Sequence, residues 1–295
     1  MVSHPRLAAM QSVPPKAAVI ISTYNWPQAL SLVLRSALEQ SESAFEIVVA
    51  DDGSRAETAE AVRTVLGPSR SAWCHVRQED TGFRQSRVRN LGVRVSTAPW
   101  LIFIDHDTPL HPEFMADHLR LSGRGHFVQG KRCFLPEDYT AGLIAGGLRP
   151  GWWPTPWLRG VGNRKNAVRA TWLGALLGRP KPFESAIRGC NLAVSREDFL
   201  RVDGFDELYD GVWGREDSDF AYRLFHHGIR CRNAWFVALQ AHLYHRQVKR
   251  TGRDSLDDEL DRMQRERRLR AVRGYSRMDA EGVVVSSSKG FGQVR

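Results

Sequence analysis

The chain has 295 residues, enough for one sizeable core or two smaller ones. Its 42% hydrophobic and 25% charged content is that of an ordinary globular protein. Lysine and arginine exceed the acids by 42 − 33 = 9, which suits an anionic partner: nucleic acid, phospholipid headgroups or a phosphorylated substrate.

The four cysteines, Cys74, Cys133, Cys190 and Cys231, are widely spaced with no CxxC pair, which excludes zinc-finger and thioredoxin spacing. Scattered thiols of this kind favour a reducing compartment. No apolar stretch approaches the roughly 20 residues of a membrane helix. The start, MVSHPRLAAMQSVPP, has no continuous apolar core, so no secretory signal is expected and a cytoplasmic location is.

In chain order, residues 1–15 read as a loose arm ending at Pro14 and Pro15. AAVIIS (17–22) reads as a buried strand followed by the turn TYNWP. QALSLVLRSALEQ (28–40) carries Leu30, Val33, Leu34, Ala37 and Leu38 at helical spacing. FEIVVADDGS (45–54) is a second buried strand, AETAEAVRTVL a helix, WCHVRQED (73–80) a weaker strand, and FRQSRVRNLGVRVS (83–96) a helix. WLIFIDHDTP (100–109) then runs an apolar strand into Asp105 and Asp107. In extended chain the two carboxylates point the same way and repel, unless a cation lies between them; the alternative is a solvated Asp turn ahead of Pro109.

Strands alternating with helices predict an α/β fold with a mostly parallel sheet, whose ligands bind at the carboxyl ends of the strands. Those ends carry Thr23 and Asn25, Asp51 and Asp52, then Asp105 and Asp107. GxGxxG and GxxxxGK[ST] are both absent after the first strand, which argues against a dinucleotide fingerprint and a P-loop.

In the second half, HFVQGKRCFL (126–135) reads as one strand. Residues 147–183 hold Arg149, Arg159, Arg164, Lys165, Arg169, Arg179 and Lys181 with no acid, beside Trp152, Trp153, Trp157 and Trp172. Tryptophan among cations suits a headgroup interface; a loop whose tryptophans pack on the core is the alternative. Ser195 and Asp198 form a capping box for a short helix that stops at Gly204. EDSDFAYRLFHHG (216–228) is a helix with acids in its first turn, and 229–245 is largely strand-like. DSLDDELDRMQRERRLRAV alternates charge along a solvated helix, and the last twenty or so residues look disordered.

Four features fall in one order: strands ending in Thr-Tyr-Asn, in Asp-Asp-Gly-Ser and in Asp-x-Asp, then Trp-Gly-x-Glu-Asp. Over about residues 16–245 the set resembles the family 2 glycosyltransferases, which have the GT-A fold. GCNLAVSREDFLRVDGFDE, GVWGREDSDFAYRLFHHGI and HLYHR also resemble the C-terminal half of galactosyltransferases that use UDP-galactose, and bacterial chondroitin polymerases. The resemblance implies a nucleotide-binding half (about 16–110), a smaller acceptor and catalytic half (about 111–245), and a charged helix and disordered tail (246–295).

The resemblance further implies an inverting, metal-dependent transfer from a nucleotide-sugar, UDP-linked, to a saccharide or glycolipid acceptor in surface polysaccharide or lipopolysaccharide synthesis. Mn²⁺ or Mg²⁺ would be held by Asp105 and Asp107, with His245, or alternatively His242, completing the shell. Asp217 matches the catalytic base and Glu216 a residue touching sugar hydroxyls. Thr23, Tyr24 and Asn25 are placed against uracil, with Asp52 or Asp51 bonding the base. Arg89 and Asn90 match a helix facing the nucleotide, with Arg84 and Arg87 near phosphate. Gly189, Cys190 and Asn191 correspond to a loop under the donor sugar, and Trp213 belongs to the same site. His106, Arg215 and Ser218 depart from the pattern, which leaves the donor sugar open. Peripheral contact with an anionic membrane is expected from the Trp-rich segment. Nucleic-acid binding would rest on positive charge alone, without a reading motif. A non-catalytic nucleotide- or carbohydrate-binding protein is the competing reading, while a nucleotidyltransferase would leave Trp213 to Asp217 unexplained.

Overall fold

The structure, a computed structural model, describes residues 14–246 and 253–288. Most of the expected arm, 1–13, therefore lies outside it, as do 247–252 and 289–295.

Apolar runs covered on both faces form the parallel centre of the main sheet. β1 (Ala17–Thr23) pairs in parallel with β2 (Phe45–Asp51) and β4 (Trp100–Asp105), and β2 pairs with β3 (Ala72–Arg77). The crossovers are α1 (Pro27–Leu38), α2 (Ala56–Leu66) and α3 (Gln85–Val95). Leu30, Val33 and Leu34 of α1 and Val62 and Leu66 of α2 bury against Val19, Ile21 and Ile47 on one face. Val88, Leu91 and Val95 of α3 pack with Ala18, Ile20 and Val48 on the other. The register sets Thr23 beside Asp51 and Ser22 beside Asp105, so the polar strand ends lie level at one edge of the sheet.

After α4 (Phe114–Leu121), the single strand expected at 126–135 divides. β5 (His126–Gln129) stays in the main sheet, while β6 (Lys131–Phe134) leaves it. The break is Gly130, where a Cβ would stand 2.0 Å from the Asn191 side chain, so only glycine lets the chain turn there. α5 (Glu137–Gly146) and α6 (Thr171–Leu177) follow. β7 (Asn191–Ser195) runs antiparallel between β4 and β5 and leads into α7 (Arg196–Arg201). The expected cap is present: Ser195 Oγ accepts from the Asp198 N–H at 3.0 Å.

Beyond α8 (Glu216–His226), the segment 229–245 is two short strands, β8 (Arg230–Asn233) and β9 (Leu239–His242). The turn between them holds Phe236 and Ala238 at positive φ. β6 and β9 pair in parallel as a separate small sheet.

Two C-terminal expectations are corrected. α9 (Arg253–Glu266) is not wholly solvated: Leu256, Leu260 and Met263, at helical spacing, are buried, and the helix packs on α8. Up to Ser288 the tail is also not disordered, because β10 (Val284–Ser287) adds antiparallel to β3 and Asp279 pairs with Arg87 at 2.8 Å. Among the described residues the main sheet thus runs β10-β3-β2-β1-β4-β7-β5-β8. No described helix is long and apolar enough to cross a membrane.

Candidate active site

At the carboxyl edge of the sheet opens a cleft of about 1010 Å³. Thr23, Tyr24, Asp52 and Asp105 to Asp107 line it from the strand ends. Arg132 and Phe134 of β6, Val212 and Trp213 before α8, His242 at the end of β9 and Leu243 to Arg246 after it line it elsewhere.

The two aspartates do not share one direction. β4 ends at Asp105, and His106 and Asp107 already turn. Asp105 Oδ1 accepts from Arg89 Nη2 at 3.2 Å and from Gln85 Nε2 at 3.3 Å. Asp107 instead faces two imidazoles, with His242 Nε2 and His245 Nε2 each 3.3 Å from its Oδ2. The two carboxylates are therefore turned apart, and each has its own partners. Burial alone would raise the Asp107 carboxyl, but His245, His242 and His106 outweigh it and hold it well below the usual carboxylate range. The bond to Asp107 raises His245, whereas burial lowers His242.

Asp107, His242 and His245 bring one carboxylate oxygen and two ring nitrogens within 4.8 Å of one another, and Asp107 Oδ1 is buried without a partner. That donor set fits a divalent cation of intermediate softness. Asp105 is not part of this cluster. The expected choice between His245 and His242 does not arise, since both rings, with Leu243 and Tyr244 between them in the chain, reach Asp107.

Arg89 was expected to face the nucleotide but is 1% exposed and lies beneath the cleft. Its guanidinium joins Asp105, Glu216 Oε1 (3.1 Å) and Ser22 Oγ (3.3 Å), so it ties the end of β4 to the start of α8. Glu216 Oε2 is buried and has no partner. Burial, then the neighbouring Asp217, push the Glu216 carboxyl up to about 7 despite Arg89. Asp217 sits in the first turn of α8, with Oδ2 accepting from Gly189 N at 3.0 Å and Oδ1 from Ser218 N at 2.7 Å. Gly189 is pressed against Arg89, where a Cβ would stand 2.7 Å from Nη1. Arg215, at φ 77, begins the helix and pairs with Asp257.

On the strand-end side the structure separates Asp52 from Asp51. Asp52 lines the cleft, accepting from Gln78 Nε2 (2.5 Å) and Arg84 N (2.8 Å), and burial raises its carboxyl. Asp51 is fully buried beneath it, held by Ser54 N and His75. Thr23 Oγ1 is buried and unpartnered, while Tyr24 is half exposed with its hydroxyl on Asp80 at 3.0 Å. Asn25, at φ 49, accepts from Arg55 N and so braces the next loop.

Several other expected contacts are structural. Asn90 is fully buried and bonds both backbone groups of Phe205. Arg87 is engaged by Gln78 and Asp279, and an Arg84 Nη2 donates to the Glu79 carbonyl. Asn191 is buried, bonding His118 and the Ala238 carbonyl. Cys190 is buried, and its sulfur receives Arg132. Burial fixes these groups in packing, which the sequence pattern cannot distinguish from ligand contact. Conversely, Arg132, Arg188, Gln85, Phe134 and Tyr244 reach the site without any motif to announce them. His242 was expected as the alternate to His245, through the resemblance of HLYHR.

Residues 18–138 match the profile "Glycosyl transferase family 2", and residues 178–246 match "N-terminal domain of galactosyltransferase". Validoxylamine A glucosyltransferase of Streptomyces hygroscopicus subsp. jinggangensis is 30% identical over 236 residues, 76% of this chain and 55% of the relative. Chondroitin synthase of Escherichia coli is 28% identical, covering 73% of this chain and 33% of the relative. The chain thus spans about half or less of the length of these relatives. Among solved structures, the Pyrobaculum calidifontis mannosyltransferase PcManGT, in complex with GDP-Man and Mn²⁺, superposes with TM-score 0.54 and 20% identity, covering 88% of this chain and 63% of that one. S. aureus TarS 1-349 in complex with UDP gives TM-score 0.56 at 16% identity, covering 88% and 68%. At these identities the likeness shows a shared GT-A fold. Residues 18–138 are thus a glycosyl transferase family 2 segment, and a galactosyltransferase-type segment follows at 178–246.

Proposed function

We propose that the chain is a metal-dependent inverting glycosyltransferase, moving a sugar from a UDP-linked donor to a saccharide or glycolipid acceptor in bacterial surface polysaccharide or lipopolysaccharide synthesis. The observation that carries this reading is the Asp107–His242–His245 donor set in the cleft at the carboxyl edge of the sheet, with buried Arg89 tying the end of β4, two residues before Asp107, to Glu216, the neighbour of Asp217 at the start of α8. A UDP complex and a Mn²⁺ complex among proteins of the same fold support the choice of donor and ion.

Asp107, His242 and His245 would hold the cation, and two imidazoles favour Mn²⁺ over Mg²⁺. When bound, that ion neutralises charge on the departing diphosphate. Arg132 and Arg188 add positive charge along the same cleft. Thr23, Tyr24 and Asp52 form the wall that would receive uracil. Asp217 takes the proton of the acceptor hydroxyl as its oxygen bonds to the anomeric carbon, while the bond from that carbon to the diphosphate oxygen breaks and UDP leaves. The Gly189 N–H fixes the orientation of Asp217. Charge developing on the sugar ring has oxocarbenium character. The unpartnered Glu216 Oε2 is an acceptor for a sugar hydroxyl.

The test is Mn²⁺-dependent UDP release from a panel of UDP-sugars without acceptor, comparing wild type with Asp107→Ala and Asp217→Asn. Slow release from one sugar, lost in Asp107→Ala, is expected. Asp217→Asn should keep Mn²⁺-dependent UDP binding but fail in transfer once an acceptor is supplied. UDP binding without turnover by wild type on any sugar or acceptor would favour the non-catalytic reading. No metal-dependent UDP binding at all would sink the proposal.

A further inference from the structure

The basic, Trp-rich segment 147–183 resolves into two unlike halves. Trp152 is buried, and Trp153 packs beside it with its Nε1 donating to the Ala167 carbonyl at 2.8 Å. Trp157 and Trp172 are instead 85% and 70% exposed. Packing therefore explains the first pair and leaves the second unexplained.

α6 makes the contrast sharper, because its apolar residues face the wrong way for a core helix. Gly174 is its only buried residue, and a Cβ there would stand 2.8 Å from the Trp235 carbonyl oxygen. The glycine thus lets the helix sit close on the body while Trp172 and Leu176, four residues apart and so on one face, point to solvent. Leu177 beside them and Phe183 just beyond are also about half exposed. Of the sixteen large hydrophobics exposed among the described residues, six fall between 157 and 183. A concentration of this kind marks an interaction surface.

Charge selects the partner. From 147 to 183 the sequence has no acid. Arg159, Arg164, Lys165, Arg179 and Lys181 make no ion pair among the described residues, in contrast to Arg169, which Asp117 holds at 2.7 Å. An apolar helix face with tryptophan, bordered by unpaired cations, fits the headgroup boundary of an anionic bilayer. The same segment is anchored next to the cleft, since Gly162 exchanges backbone bonds with Phe134, a cleft residue. We propose that α6 and the flanking cations are a membrane-docking surface for anionic phospholipid, holding the cleft beside a bilayer. The surface does not depend on the reading of the cleft, so either can fail alone.

The test is co-sedimentation of the full chain with phosphatidylcholine vesicles, with and without phosphatidylglycerol. Wild type should bind the anionic vesicles, with a blue-shifted indole emission, and release them as salt rises. The double variant Trp172→Glu/Leu176→Glu should bind about tenfold more weakly or worse. Arg179→Gln/Lys181→Gln should flatten the salt dependence. A urea-unfolding midpoint close to wild type serves as the folding control, so the test does not depend on the reading of the cleft. Equal vesicle binding by wild type and both variants would overturn the proposal, as would no binding by wild type. So would a dimer in sedimentation equilibrium that the Trp172→Glu/Leu176→Glu variant dissociates, because a second copy would then cover the patch.

Discussion

Replacing Glu216 with glutamine should flatten the pH dependence of stability. Glu216 is 5% exposed; burial and then Asp217 raise its carboxyl from 4.5 to about 7. A raised carboxyl means that the folded chain keeps a proton the unfolded chain has already released. Stability is therefore unaffected by this group below about pH 4.5, falls as pH rises toward 7, and levels above it. The interval is about 2.5 pH units; at about 1.36 kcal/mol per unit it amounts to at most about 3 kcal/mol. Glutamine has no proton to lose over this range, so its curve lacks that decline. It also replaces the carboxyl group beside Arg89 with an amide, and the part of that change that does not involve ionisation shifts the whole curve by a pH-independent amount. The slope therefore carries the information. Asp210, which burial likewise pushes up to about 7, contributes the same slope to both proteins and cancels in the difference. Urea unfolding of wild type and Glu216→Gln from about pH 5 to pH 8 measures it. The difference should move in the variant's favour by up to about 3 kcal/mol across that range. Parallel curves would refute the raised carboxyl and with it the account of Arg89 as a partner too weak to offset burial.

Removing either imidazole beside Asp107 should weaken Mn²⁺ binding. His242→Ala and His245→Ala are each expected to lose about tenfold or more in affinity, read by Mn²⁺ titration with spectroscopic detection. Because Asp107 raises His245, a proton competes with the ion at higher pH than for a free imidazole, so wild-type affinity should fall as pH falls. An affinity independent of pH, or unchanged in both variants, would show that the ion binds elsewhere. Gly189→Ala would set a Cβ 2.7 Å from Arg89 Nη1 and displace the N–H that orients Asp217. It should cost about 1–3 kcal/mol in urea unfolding and reduce transfer. Wild-type stability in that variant would mean that Arg89 has room to move away from the added methyl group.

The order of strands and helices through α3 and β4, and the polar strand ends, were legible because they depend on local patterns: buried runs of period-independent apolar residues, helical spacing and turn residues. The Ser195 cap and the helix at Glu216 were legible for the same reason. Asp107 came to notice at its strand end, whereas Asp217 and His245, with His242 as its alternate, were implied by the family resemblance. Tertiary structure decided what those residues do to one another. It ended β4 at Asp105, so that Asp105 and Asp107 part and each finds a different partner. It buried Arg89, Asn90 and Asn191, whose polar side chains look the same in a sequence whether they bind ligand or backbone. It placed Arg132 in the cleft from a strand without a motif, and turned Trp172 outward on a helix seated by a glycine. Direction and burial of a side chain depend on contacts far apart in the chain. Periodicity sees only neighbours, and for that reason it could find the elements but not the partners.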